Sequence, residues 1–539
     1  MKLLDFYKKE STISATSIFV MASISGISNG ALLAIINKAA ETASYESLNL
    51  RLFLLFAITM ATFVISKKYL LTKSTMLAEN VIKQIRIRMM DKIRHCRLSF
   101  LEELGGSEVY TRLTQDTSQI SQSSTIIINA GQSAIMVMFA SIYMAFLSKT
   151  AFVIILVSIS FAIILYLSKL GKIHAELHKS SVKETEFFDS LNDILGGFKE
   201  LKVNKAKSDD LFNSFKQIGN EAEQLNVNVG IHFVNNFIFA NSFFYMLIAV
   251  IVFLLPTLSV TYTDVIFKTT AAILFIINPL GGVVEAVPYL SKANVAVENL
   301  YKLESDLDTS GKDSHDGIEQ IDHFDKIRFH NILFHYTDKE GFPLFTVGPI
   351  DLAISKGELL FIVGGNGSGK STLLKLLTGF YHPLSGRITL DDNDIKPVYP
   401  SYRELFAIIF TDFHLFRRLY GIKDVDINKL NGLLKTMELD KKTKYVDNKF
   451  TNINLSTGQR KRLALTVALM ENKPIYIFDE VAADQDPVFK KFFYEVLLKE
   501  LKSNGKTIIV VSHDEQYFHV ADRVLKMEYG SFYKYSKAD

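Results

Sequence analysis

The chain is short of the residues that staple or stiffen a secreted protein. Its 539 residues include one cysteine, Cys96, so a disulfide-stapled scaffold is excluded. There are ten prolines and no tryptophan, which excludes a collagen-like or Pro-rich chain. Charge is sparse as well: 22% of residues are Asp, Glu, Lys or Arg, and the net charge is +3. A chain so nearly neutral is no basic nucleic-acid binder, and no nucleic-acid partner is expected. What is abundant is apolar. Hydrophobic residues make up 48%, Phe alone counts 41, and mean hydropathy is +0.17. That excess excludes a disordered chain and, where it clusters, points to a membrane.

It does cluster. Before about position 293, six stretches of 14 or more residues are mostly apolar and nearly free of charge: 13–36, 52–65, 125–147, 151–167, 237–255 and 266–290. A helix needs about 20 apolar residues to cross a bilayer, and most of these stretches reach that length. The second is short, with Arg51 and Lys67 at its ends to snorkel toward the interfaces. Six such runs are hard to bury in a water-soluble core. Lys and Arg set the orientation. They crowd the N-terminus, the stretch from Lys67 to Arg97 and the stretch from Lys169 to Lys207, whereas the alternate loops 148–150 and 257–264 are short and poor in them. Both termini and both long loops are therefore expected in the cytoplasm. Segment one is too long for a signal-peptide core and is read as retained.

The two long loops, about 55 to 60 residues each, exceed what a compact unit leaves without structure. Helical periodicity over 78–93 and 207–225 predicts that the membrane helices run on into the cytoplasm. The loops then turn back near 101–106 and 194–197. The chain divides into a six-helix membrane domain over 1–304, a polar linker over 305–320 (SDLDTSGKDSHDGIEQ) and an α/β domain over 321–539.

Chemistry concentrates in the last part. Gly364-Gly365-Asn366-Gly367-Ser368-Gly369-Lys370-Ser371 follows an apolar strand, 359–363, and opens a helix at Thr372. This is the phosphate-loop pattern in its required context. The glycines let backbone N–H groups converge on phosphate oxygens at a helix N-terminus. Lys370 is expected to neutralise β- and γ-phosphate charge, and Ser371 to ligate Mg²⁺. A second apolar strand ends in Asp479-Glu480 at a sheet edge where nucleotides bind. Asp479 is expected in the Mg²⁺ shell and Glu480 as the general base toward water.

A third motif lies 23 residues before Asp479: Leu455-Ser456-Thr457-Gly458-Gln459, ahead of a helix over 460–470. Here the chain resembles the ABC transporter family, whose signature is LSGGQ; Thr457 replaces the first Gly. The resemblance implies that Ser456, Gly458 and Gln459 contact ATP held by an opposite subunit. It further implies that Tyr336 stacks on adenine, that His513 senses the γ-phosphate, and that Asp486 lies on a loop at the dimer interface. The family's usual Gln after the next strand is Thr411 here, so Thr411 is the residue expected near Mg²⁺.

Six membrane segments ahead of one nucleotide domain resemble an exporter half-transporter, and Arg112-Leu113-Thr114-Gln115-Asp116 looks like that group's loop segment. FTDFHLF over 410–416, LSTGQRKRLAL over 455–465 and DEVAADQDPVF over 479–489 resemble the bacterial cyclic-peptide and siderophore-peptide exporters. The resemblance implies a homodimer in the inner membrane, among lipids, with two ATP and Mg²⁺ between the chains, a peptide substrate and, outside, periplasmic or outer-membrane efflux components. A lipid or amphiphile exporter is the runner-up, and a non-transporting ATPase that regulates is the reading from another class. In the membrane domain, Ala22, Gly26, Gly30 and Ala34 recur every four residues, which favours close helix packing. Asn278-Pro279 is expected to interrupt segment six, and its asparagine to face the bundle interior.

Overall fold

The computed structural model describes residues 2–10, 15–42, 49–167, 170–254, 266–310, 321, 323–338 and 342–534. The chain forms two compact units, one of Met1–Arg94 with Leu101–Ser310 and one of His95–Phe100 with Gly311–Asp539.

The first unit is helical. Its long helices are Ala15–Glu41, Leu50–Arg94, Thr117–Leu147, Lys149–Leu167, Leu170–Gly196, Lys205–Ala249 and Ile266–Thr309. Among the described residues, five helices are long and apolar enough to cross a membrane, and Lys149–Phe161 is a shorter apolar helix. Leu50–Arg94 buries only 6% of its apolar window, and Ile58, Phe146 and Phe253 are exposed. Such a surface suits lipid and not water. At 1.5 Å per residue, the 45 residues of Leu50–Arg94 span about 68 Å, twice a bilayer core. Neither Gly nor Pro interrupts them, so the helix continues past the apolar run into the basic segment. Two points differ from the sequence reading. Segment six is not interrupted: Ile266–Thr309 is one helix through Pro279 and Pro288, as packed membrane helices permit. Its last turn also takes in residues 305–309, read above as linker; 311–320 lie outside the described residues.

The small-residue stripe packs as expected. A Cβ at Gly26 would lie 2.9 Å from Ile135 Cγ2, and one at Gly30 would lie 3.5 Å from Phe139 Cβ, so helix Ala15–Glu41 approaches Thr117–Leu147 closely. Arg112–Asp116 forms a π-turn in which Arg112 pairs with Asp116 (3.2 Å) and Glu108 (2.7 Å). Arg88 joins Glu10 (2.5 Å) to Glu304 (2.9 Å), and Lys92 joins Asp308 (2.7 Å). These ion pairs tie the first short helix, Lys2–Glu10, and the ends of two long ones together.

The second unit is α/β. Its main sheet runs, edge to edge, Ser531–Lys534, Arg523–Glu528, Leu359–Val363, Thr507–Val511, Ile475–Asp479 and Phe406–Ile409. All neighbours are parallel except the first pair. Leu359, Phe361, Tyr476, Phe478, Ile508 and Val510 enter one core, and Leu360, Ile362, Ile475, Ile477 and Ile509 enter another. Alternate residues thus feed opposite faces, and both faces are covered. That is why these strands read as unbroken apolar runs. A smaller antiparallel sheet contains Lys326–Thr337 between Pro343–Ser355 and Ser385–Leu390.

Candidate active site

Three adjacent parallel strands bring their C-terminal ends together. Leu359–Val363 delivers the glycine loop and Ile475–Asp479 delivers the two carboxylates. Thr507–Val511 lies between them and delivers Ser512 and His513. The site is therefore built by register before any side chain is considered.

The loop closes tightly. Gly364 has φ 151°, and a Cβ there would lie 2.1 Å from the Met527 carbonyl oxygen. Gly369 has φ 103° and caps helix Lys370–Leu377. That helix starts two residues earlier than expected. Lys370 is buried, and its Nζ donates to the carbonyls of Gly364 (2.7 Å) and Gly365 (2.9 Å). Burial lowers the Lys370 amine, against the pull of the Glu480 and Asp479 charges. The buried Ser368 Oγ has no protein partner. An anion on this loop would supply one.

Asp479 is 2% exposed. Burial first, and then the Glu480 charge, push its carboxyl up to about 6, opposed by Ser371, Lys370 and the Thr411 N–H. Ser371 Oγ donates to Asp479 Oδ2 at 3.4 Å. Thr411 reaches this carboxylate through its backbone. The strand leads it there: Ile409 pairs with Phe478, so the chain leaving that strand passes the end of the strand carrying Asp479. Two hard oxygens at the phosphate loop fit a divalent cation that completes its shell with phosphate and water. Among the described residues, no group of three or more His, Cys, Asp or Glu could hold a metal ion.

Glu480 adopts a left-handed backbone, φ 52°, a conformation that a residue other than glycine holds at a cost of about 1–3 kcal/mol. Its N–H donates to the Val511 carbonyl (3.1 Å). His513 Nε2 lies 3.1 Å from Glu480 Oε1. A carboxylate only accepts, so the histidine carries the proton on that nitrogen. The Tyr336 hydroxyl lies 3.2 Å from Thr372 Oγ1, while its ring meets Phe334 and Tyr381 edge-on at 5.3 and 5.9 Å. The structure thus gathers Tyr336, residues 364–372, Thr411, Asp479, Glu480 and His513 around one sheet edge.

The signature segment is not among them. Ser456 caps helix Thr457–Glu471, which starts three residues earlier than expected. Ser456 Oγ accepts from Gln459 N, and Gln459 Oε1 accepts from Ser456 N. Among the described residues, no hydrogen bond joins 456–459 to the glycine loop. Gln485 Nε2 donates to the Gly458 carbonyl (2.9 Å). Asp486 caps helix Pro487–Lys491 and pairs with Arg462 (2.5 Å). The Phe489 N–H, with Arg462 adding to it, holds its carboxyl below the usual range.

Residues 347–483 match the family described as ABC transporter, and residues 11–278 match the ABC transporter transmembrane region. The chain is 32% identical to "ATP-binding protein SyrD" of Pseudomonas syringae pv. syringae, over 94% of this chain and 91% of that one. The chain belongs to the ABC transporter family. It is also 24% identical to the "ATP-dependent lipid A-core flippase" of Aliivibrio fischeri, over 84% of this chain and 79% of that one. Its fold is like that in the "Structure of a bacterial Atm1-family ABC exporter with ATP bound", with TM-score 0.73 at 16% identity, covering 96% of this chain and 93% of that one. This ABC transporter is of the exporter type, a multi-pass membrane protein whose ATPase domain couples ATP hydrolysis to transport.

Two residues of the transporter's site were not singled out from sequence. Lys461 Nζ donates to the Glu480 carbonyl (2.9 Å) and pairs with Asp484 (2.7 Å). Arg462 pairs with Glu438 and Asp486, and its guanidinium lies 4.1 Å from the Phe489 ring centroid. Together they fasten the signature helix to the loop carrying Glu480 and Asp486. The one signal in the sequence is the basic run Arg460-Lys461-Arg462 inside a helix, which does not say which of the three turn inward.

Proposed function

We propose that this ABC transporter is a homodimeric exporter of peptides in a bacterial inner membrane, with both termini in the cytoplasm. The observation that carries the dimer is the separation just described. One chain presents the glycine loop, Asp479, Glu480 and His513 at one sheet edge, and presents Ser456, Gly458 and Gln459 on a capped helix end elsewhere. Two such chains, related by a twofold axis, complete two ATP sites.

In this reading, the glycine loop and Lys370 hold the phosphates, Tyr336 takes the adenine, and Ser371 and Asp479 hold Mg²⁺, with Thr411 bracing Asp479. Mg²⁺ bound there neutralises phosphate charge. Glu480 orients the attacking water and accepts its proton, and the Nε2 proton of His513 fixes the Glu480 carboxylate. Asp486 lies where the partner's loop meets its own. Peptide as cargo is supported by the resemblance over 410–416, 455–465 and 479–489 and by the nearly full-length likeness to SyrD. A lipid cargo is the second reading, favoured by the flippase relative.

The test is ATP hydrolysis by the full-length protein in nanodiscs, titrated with cyclic peptides, lasso peptides, peptide siderophores and simple amphiphiles. Saturable stimulation by peptides alone, with turnover lost in Glu480→Gln by at least about a hundredfold, is expected. Equal stimulation by amphiphiles would move the cargo to lipids, and wild-type turnover in Glu480→Gln would remove Glu480 as the base.

A further inference from the structure

The membrane unit holds a cavity of about 660 Å³ whose polar lining comes from four helices: Asn29, Lys67, Asn129, Gln132, Ser133 and Asn278, beside Pro279. Its size is that of a site for a drug-sized ligand, enough for part of a peptide. Polar side chains within membrane helices are costly and gather where a polar ligand passes. Here most are of one kind, Ser133 adding a hydroxyl. Four are carboxamides, each offering a donor and an acceptor as a peptide group does. One is an amine, and no Asp or Glu lines the cavity.

Their hydrogen bonds are only partly used within the chain. Asn29 Nδ2 donates to Met136 Sδ (3.0 Å), a weak acceptor. Gln132 Nε2 donates to Ser25 Oγ (2.7 Å). The Asn129 Oδ1 atom is buried with no partner. Among the described residues Lys67 forms no salt bridge, and its Nζ lies 5.6 Å from the Phe63 ring centroid. A half-buried ammonium among amides, with no carboxylate in the lining, selects for an anion.

We infer that this cavity binds the cargo peptide by its carboxylate, with Lys67 pairing the carboxylate and Asn29, Asn129, Gln132 and Asn278 meeting the adjoining peptide groups. The inference rests on the peptide-export reading and adds to it a site and a required charge.

The probe is a lasso peptide with a free C-terminal carboxylate, compared with the same peptide as its methyl ester, in phosphatidylcholine nanodiscs. The readout is the concentration that half-stimulates ATP hydrolysis. In the wild-type protein the acid is expected to act at about tenfold lower concentration than the ester, since a charge-assisted pair is lost on esterification. Lys67→Met should bring the acid to the ester's value, and Lys67→Arg should keep the preference. The comparison of acid with ester in wild type, and in Lys67→Arg, decides the matter even where Lys67→Met does not fold. Equal values for acid and ester in wild type, or a preference that survives in Lys67→Met, overturn the carboxylate site and leave peptide export standing. No stimulation by either form overturns both.

Discussion

Asp479 ends a strand with its carboxyl sealed under the phosphate loop, and this position has a measurable consequence. A carboxyl raised to about 6 favours the protonated form in the folded protein. That stabilisation is complete below the ordinary value near 3.8 and is lost as pH rises through about 6. At roughly 1.36 kcal/mol per unit, the gap amounts to about 3 kcal/mol of strain at neutral pH in the nucleotide-free protein. Asp479→Asn keeps the shape and removes the charge. It is expected to raise the melting temperature of the nucleotide-free protein at pH 7.5, and by roughly half as much at pH 5, as read by calorimetry. A variant that melts lower at pH 7.5 would show that burial does not oppose the charge. The same substitution is expected to weaken the Mg²⁺ dependence of ATP binding, because the strained charge is what a cation relieves. None of this was visible in the sequence. A strand ending in two carboxylates announces a site, but not which carboxylate is buried and which stands on a left-handed turn, as Glu480 does.

At the scale of elements, the strands were legible because burial on both faces demands unbroken apolar runs. Leu359–Val363 begins and ends where the sequence places it, and Ile475–Asp479 stops one residue before the expected end at Glu480. The membrane helices were legible as apolar runs, and the helical periodicity over 78–93 and 207–225 already carried them past those runs, as Leu50–Arg94 and Lys205–Ala249 do. Hydropathy stops where the lipid does, while Leu50–Arg94 continues through charged residues for want of any helix breaker. Pro279 misled for the opposite reason: it breaks isolated helices, and packing overrides it. Thr411 was placed by its side chain and acts on Asp479 through its backbone, which no residue identity can signal. The stripe at Gly26 was read correctly as a packing surface, and it makes a prediction. Gly26→Val would set a Cβ 2.9 Å from Ile135 Cγ2, an overpacking that costs about 1–3 kcal/mol. The variant is expected to melt lower in detergent. Ile135→Ala placed in the same chain is expected to restore part of the loss, because it removes the clashing methyl groups. Independent, additive losses would mean that the two helices do not meet there.

At the scale of the whole molecule, the charge pattern, the long helices and the two half-sites make one argument. The proposed orientation rests on the basic loops, and helix Leu50–Arg94 reaches about 68 Å, about twice a bilayer core. Among the described residues the signature segment makes no hydrogen bond to the glycine loop of its own chain, so the proposed composite site predicts that hydrolysis requires a second copy. The sequence already held every motif of the site. It also held, by resemblance alone, the expectation that the signature serves an opposite subunit, which the proposed dimer keeps. The most direct measurement is native mass spectrometry of the Glu480→Gln protein in nanodiscs with ATP and Mg²⁺. The account predicts a complex of two chains retaining two ATP molecules, lost when Lys370→Ala is added. A single chain retaining one ATP, or a dimer whose nucleotide exchanges freely, would contradict it.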